Sequence, residues 1–132
     1  MKRIILAVAV LCFPISARSQ VTTSLYKDMC QEYVHLQGTD KTNEDTGLCM
    51  GYTTGWMEGI DGTETTQKDK TYQVIFASHV KPSQVILVVM KYINEHPETL
   101  NKPISDTLIE ALFEAKLMGL KPTEREIERR EQ

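Results

Sequence analysis

The sequence predicts an all-α protein, a small bundle of four to five helices held by one disulfide. Three observations predict it. Every sustained apolar pattern repeats with the helical period. The prolines stand where helices would start or stop rather than inside them. The one stretch that suits a strand, "YQVIFASHV" (residues 72–80), finds no partner strand elsewhere in the chain, and a lone strand is not stable. With 132 residues, 41% of them hydrophobic and 25% charged, the chain has room for one core and the balance of an ordinary globular domain.

The chain begins like an export signal. Lys2 and Arg3 precede the short apolar run "IILAVAVLCF", and Ala17 and Ser19 are small residues before a cut ahead of Gln20. Pro14 and Arg18 end the run well short of the roughly 20 apolar residues a spanning helix needs. Residues 1–19 are therefore read as a cleaved signal peptide. Its removal takes the 15 basic residues to 12 against 18 acidic, a net charge of −6, which offers nucleic acid no basic footprint. It also removes Cys12, leaving Cys30 and Cys49 as an even pair. In an oxidising compartment such a pair is most simply a disulfide. A zinc site built on Cys30, His35 and Cys49 lacks a convincing fourth ligand.

The mature chain opens with a helix over residues 24–37, where Tyr26, Met29, Cys30, Tyr33 and Val34 form one stripe and Thr23 or Ser24 supplies the N-cap. A polar loop, "GTDKTNEDT", leads to a second helix capped by Asn43, Asp45 or Thr46. Residues 60–71, "IDGTETTQKDKT", read as an exposed loop, and residues 72–80 as a short helix or extended connector. Pro82 suits the first turn of a strong helix, with Val85, Ile86, Val89 and Ile93 buried and Val88, Met90 and Tyr92 widening the apolar face. His96-Pro97 ends it, since proline disfavours helical geometry in the residue before it. Pro103 opens the last core helix, lined by Ile104, Leu108, Ala111, Leu112 and Ala115, with Gly119 as its left-handed cap. The charged tail, residues 121–132, is either a frayed helix or disordered.

The second helix carries the oddest pattern. Gly47, Gly51, Gly55 and Gly59 recur every fourth residue, and each costs roughly 0.8–1 kcal/mol relative to alanine in a helix interior. A phosphate-binding loop would need a preceding strand and a nearby lysine, and neither is present between Thr42 and Gln67. What remains is a smooth helix face. The expectation is close packing by a neighbouring helix against these glycines, with direct contact to a partner as the alternative.

The stretch "LCMGYTTGWMEGI" resembles the cysteine–x–glycine–tyrosine helix of the Rap/Tai immunity proteins, which protect type VI secretion users from amidase effectors. The resemblance continues through "VKPSQVILVVMKYINEHPETLNKPISDTLIEALFEA", in the helix start around Gln84, the ending Tyr92 to Pro97, the second proline at Pro103 and the Ala111-Leu112 pair. Cys30 matches the cysteine that ends the family's first helix. Together the matches run from about residue 24 to 118. A second cysteine pair carried by many members is missing here.

The resemblance implies a periplasmic, non-enzymatic immunity domain over residues 20–120. It would act as a homodimer that binds a secreted amidase effector and plugs its cleft, without a cofactor, a metal, nucleic acid or, after signal cleavage, a membrane. Export could also carry the protein out of the cell. The residues add three carboxylates, Glu58, Asp61 and Glu64, available to reach a partner. Electrostatic complementarity of that kind mainly speeds association and sets specificity. The other reading is a small periplasmic stress or chaperone-like protein. Catalysis is not expected: His35, His79 and His96 fall on separate elements with no activated nucleophile beside them.

Overall fold

The computed structural model describes residues 20–36, 44–68 and 70–130. The expected signal peptide over 1–19, the expected loop with its Asn43 cap, and residues 131–132 lie outside the described residues. The first helix, α1 (Thr23–His35), starts one residue earlier than expected, with the Leu25 amide donating to Thr22 Oγ1 at 3.3 Å. Thr23 is not the cap because its hydroxyl is used inside the fold, 2.8 Å from Thr107 Oγ1 and donating to the Lys102 carbonyl at 3.1 Å. The backbone here is tied down as well. Thr23 N and Ser24 N donate to the carbonyls of Lys102 and Leu100, both at 3.0 Å, and Ile104 N donates to the Val21 carbonyl at 2.9 Å.

The glycine-rich segment is helical, α2 (Glu44–Ile60), with Glu44 and Asp45 in its first turn, where carboxylates oppose the positive end of the helix dipole. Then come α3 (Pro82–Glu95), with proline at its first turn, a 3₁₀ turn over Pro97–Thr99, and α4 (Ile104–Glu114). Helix α3 stops at His96 as the following proline dictates. Helix α4 stops at Ala115, and Lys116, not Gly119, takes the left-handed conformation (φ 58°) that turns the chain. Ala115 is accordingly exposed rather than on the inner face. The tail forms a short helix, α5 (Glu124–Arg130).

Tyr26, Cys30, Cys49, Val85, Ile86, Val89, Ile93, Ile104, Leu108 and Leu112 are at most 1% exposed and form the core, joined by Met90. The i, i+3, i+4 spacing that places these residues on α3 and α4 is what makes the two helices pack. Where hydroxyls enter the core they are paired. Tyr26 donates to Thr53 Oγ1 at 2.8 Å, and Thr53 in turn donates to the Cys49 carbonyl at 2.8 Å. Unpaired, each such group would cost about 1–3 kcal/mol.

The all-α expectation fails at a three-stranded antiparallel sheet, order β1-β2-β3, made of β1 (Glu64–Gln67), β2 (Lys70–Phe76) and β3 (Met118–Pro122). The "YQVIF" stretch is the central strand. Glu64 faces Gln73 on one side, and Phe76 faces Met118 and Tyr72 faces Pro122 on the other. Tyr72, Val74 and Phe76 turn inward while Gln73 and Ile75 are exposed, the period-two alternation of a half-buried strand. The expected loop over 60–71 is thus largely a hairpin, and the connector over 72–80 is mostly strand. An edge-on contact between the rings of Trp56 and Phe76, 6.3 Å apart, packs α2 against the sheet.

Candidate functional site

The candidate contact residues sit where α2 runs into the hairpin, and the chain there is firmly held. Asp61 N donates to the Met57 carbonyl at 3.0 Å and prolongs the last turn of α2. Gly62 then reverses the chain at φ 76°, a left-handed conformation that side chains disfavour. Its amide donates to the Val74 carbonyl (2.9 Å), and its own carbonyl accepts from Gln73 Nε2 (3.2 Å). The Thr63 hydroxyl closes the turn on the Ile60 carbonyl at 2.8 Å. Glu58, Asp61 and Glu64 are all exposed around this turn. They follow one another along seven residues of chain on a scaffold fixed by hydrogen bonds, so their presentation needs little ordering when a partner binds.

The three carboxylates differ in what they touch. Glu64 is engaged by Arg125 of α5, whose Nη2 lies 3.2 Å from both carboxylate oxygens. Glu58 and Asp61 make no side-chain hydrogen bond or ion pair among the described residues. Sequence reasoning missed Arg125, because nothing local links it to a residue 61 positions away in a tail that reads as solvated. It also missed Gln73, which braces the turn from the neighbouring strand.

The glycine face of α2 corrects an expectation. Gly47, Gly51, Gly55 and Gly59 are exposed, and a Cβ built on any of them meets nothing within 4 Å. No helix of this chain packs there among the described residues. The buried face of α2 is instead Thr46, Cys49 and Thr53, of which Cys49 and Thr53 meet Cys30 and Tyr26 of α1. Cys49 joins Cys30 in the disulfide between the two helices, with 5.0 Å between their Cα atoms. The four glycines therefore leave α2 weaker than it need be. Gly55→Ala is expected to stabilise the protein by about 0.8–1 kcal/mol, raising its melting temperature by a few degrees. A lowered melting temperature in a thermal denaturation series would show instead that another chain packs on this face in solution.

The histidines stay apart. His35 and His79 are exposed, and His96 stacks on Tyr92 (ring centroids 4.2 Å) with Nδ1 3.0 Å from Glu98 Oε1. That contact, after Glu98's own backbone hydrogen bond, holds the Glu98 carboxyl below the usual carboxylate range. Both cysteines of the considered zinc set are bonded to each other. No group of three His, Cys, Asp or Glu among the described residues could hold a metal ion.

What this arrangement offers is an exposed acidic turn, held by hydrogen bonds, on a disulfide-held helical frame. The family model of the Rap1a immunity proteins matches residues 17–115, which takes in α1 to α4 and the hairpin. No curated protein and no solved structure matches the chain. Immunity proteins of this kind act against effectors by binding them, and a match over most of the sequence decides the assignment. The chain belongs to the Rap1a immunity protein family.

Proposed function

We propose that this chain is a periplasmic immunity protein that binds and inhibits a peptidoglycan amidase effector of a type VI secretion system. The observation that carries the proposal is the family match over residues 17–115. The signal-like residues 1–19 and the Cys30–Cys49 disulfide support an oxidising, exported setting. On this reading residues 1–19 are removed on export and the domain acts as a homodimer without enzymatic activity of its own. Its acidic turn, with Glu58, Asp61 and Glu64, contacts the effector.

The test is a calorimetric titration of the mature protein against a type VI peptidoglycan amidase effector. Asp61→Ala/Glu64→Ala should leave the fold within about 1 kcal/mol of wild type, as exposed positions and exposed ion pairs allow, and should weaken the complex tenfold or more. Equal binding by the variant would move the contact surface elsewhere. No binding by wild type would remove the amidase assignment.

A further inference from the structure

The contact between Glu64 and Arg125 joins the acidic turn to the far end of the chain. Helix α5 is seven residues long and has few other holds on the domain. Both the hydroxyl and the amide of Thr123 donate to the Thr71 carbonyl at 3.3 Å, and Glu126 is 4% exposed. Ile127, the one apolar residue of the helix, stays 42% exposed. Between α5 and the hairpin lies a hollow of about 470 Å³ bordered by Glu64, Gln73, Lys121 and Arg125. The clasp is itself exposed, its two side chains 77% and 50% accessible. Such a pair is weak and is screened by salt. A short helix, incompletely packed over a hollow and held by an exposed guanidinium on a carboxylate, is a part that can let go.

We propose that α5 is a releasable strap: Arg125 occupies Glu64 in place of a basic side chain of the partner, and release of the helix frees the Glu64 carboxylate for binding. This rests on reading the acidic turn as the contact surface. It adds the chemistry of the incoming group, a guanidinium or ammonium, and a competitor built into the same chain.

Two measurements on the full mature chain test it. Amide exchange by NMR should speed up several-fold at residues 64–67 and 123–127 in Arg125→Gln, and in wild type at high salt. The α3 and α4 amides should not change, and the charge swap Glu64→Arg/Arg125→Glu should restore the slow rates. An acetylated tri-arginine amide peptide, followed by the shifts of the Glu58 to Glu64 amides, should bind Arg125→Gln several-fold more tightly than wild type. It should not bind Glu64→Gln/Arg125→Gln. Unchanged exchange in Arg125→Gln, or a peptide affinity equal to wild type, overturns the strap. Neither measurement uses the amidase, so failure of the effector titration alone would count against the functional assignment and leave the strap standing.

Discussion

Replacing Cys30 and Cys49 together by alanine should lower the stability by roughly 3 kcal/mol and the melting temperature on the order of 10 °C or more. The two cysteines are 19 residues apart and fully buried, and they join α1 to α2. In the chain-entropy account the bond acts on the unfolded ensemble, by closing a loop that would otherwise be free. No other covalent link spans the described residues, and α2 has little propensity of its own because of its glycines. Urea titrations of the double variant and wild type measure the effect directly. Coincident midpoints would mean that α1 and α2 hold together by packing alone.

Tyr26→Ala should be as damaging, costing about 3–5 kcal/mol as large aromatic truncations in cores do. Tyr26 is fully buried, packs edge-on against Tyr52 with ring centroids 5.9 Å apart, and supplies the hydroxyl that pairs with Thr53. Tyr26→Phe keeps the ring and should cost only about 1 kcal/mol. The two variants thus separate packing from hydrogen bonding at one position. The phenylalanine variant also carries a pH signature. Burial pushes the Tyr26 phenol up from 10.0 to about 12. Between those values the unfolded chain gives up this proton while the folded chain keeps it, so the wild type loses stability as the pH rises from 10 to 12. The loss approaches about 1.4 kcal/mol for each pH unit climbed within that window. Below pH 10 this contribution is intact. Tyr26→Phe should lack that alkaline loss, and denaturation curves of both proteins at pH 9 and 11.5 would reveal it.

Much of the helical frame is legible in the sequence because its signals are local. The apolar spacing of α3, Pro82 at its start and His96-Pro97 at its end are contained within sixteen residues of chain, and the structure places all of them as expected. The sheet is not legible because its signals are split. The central strand shows the right residues, but β1 is "ETTQ", without an apolar side chain, and β3 is "MGLKP", where the glycine and proline mimic a helix end. Tyr72 meets Pro122 across fifty residues of sequence, and no local window contains that pairing. The glycine stripe shows a subtler failure. Its helical period is real, yet the packed face is the one bearing Thr46 and Thr53. Polar residues there hide its burial, since threonine enters a core once its hydroxyl has a partner. At the candidate site the carboxylates can be read as exposed, whereas the clasp from Arg125 cannot, for the same reason of distance along the chain.

The short pairing between residues 21–24 and 100–104 bears on the order in which this protein can be assembled. A chain is made from its N-terminus, so the amides of Thr23 and Ser24 and the carbonyl of Val21 emerge first, while their partners Leu100, Lys102 and Ile104 emerge about eighty residues later. The α1–α2 disulfide, by contrast, joins cysteines only 19 residues apart and needs nothing from beyond residue 49 once the chain is in an oxidising compartment. Assembly therefore has a local first stage and a late closure in which the two ends of the domain meet. Long-range closure of this kind is the slow part of folding. A chain truncated before residue 100 would leave the backbone groups of residues 21–24 without these partners and open to any neighbour.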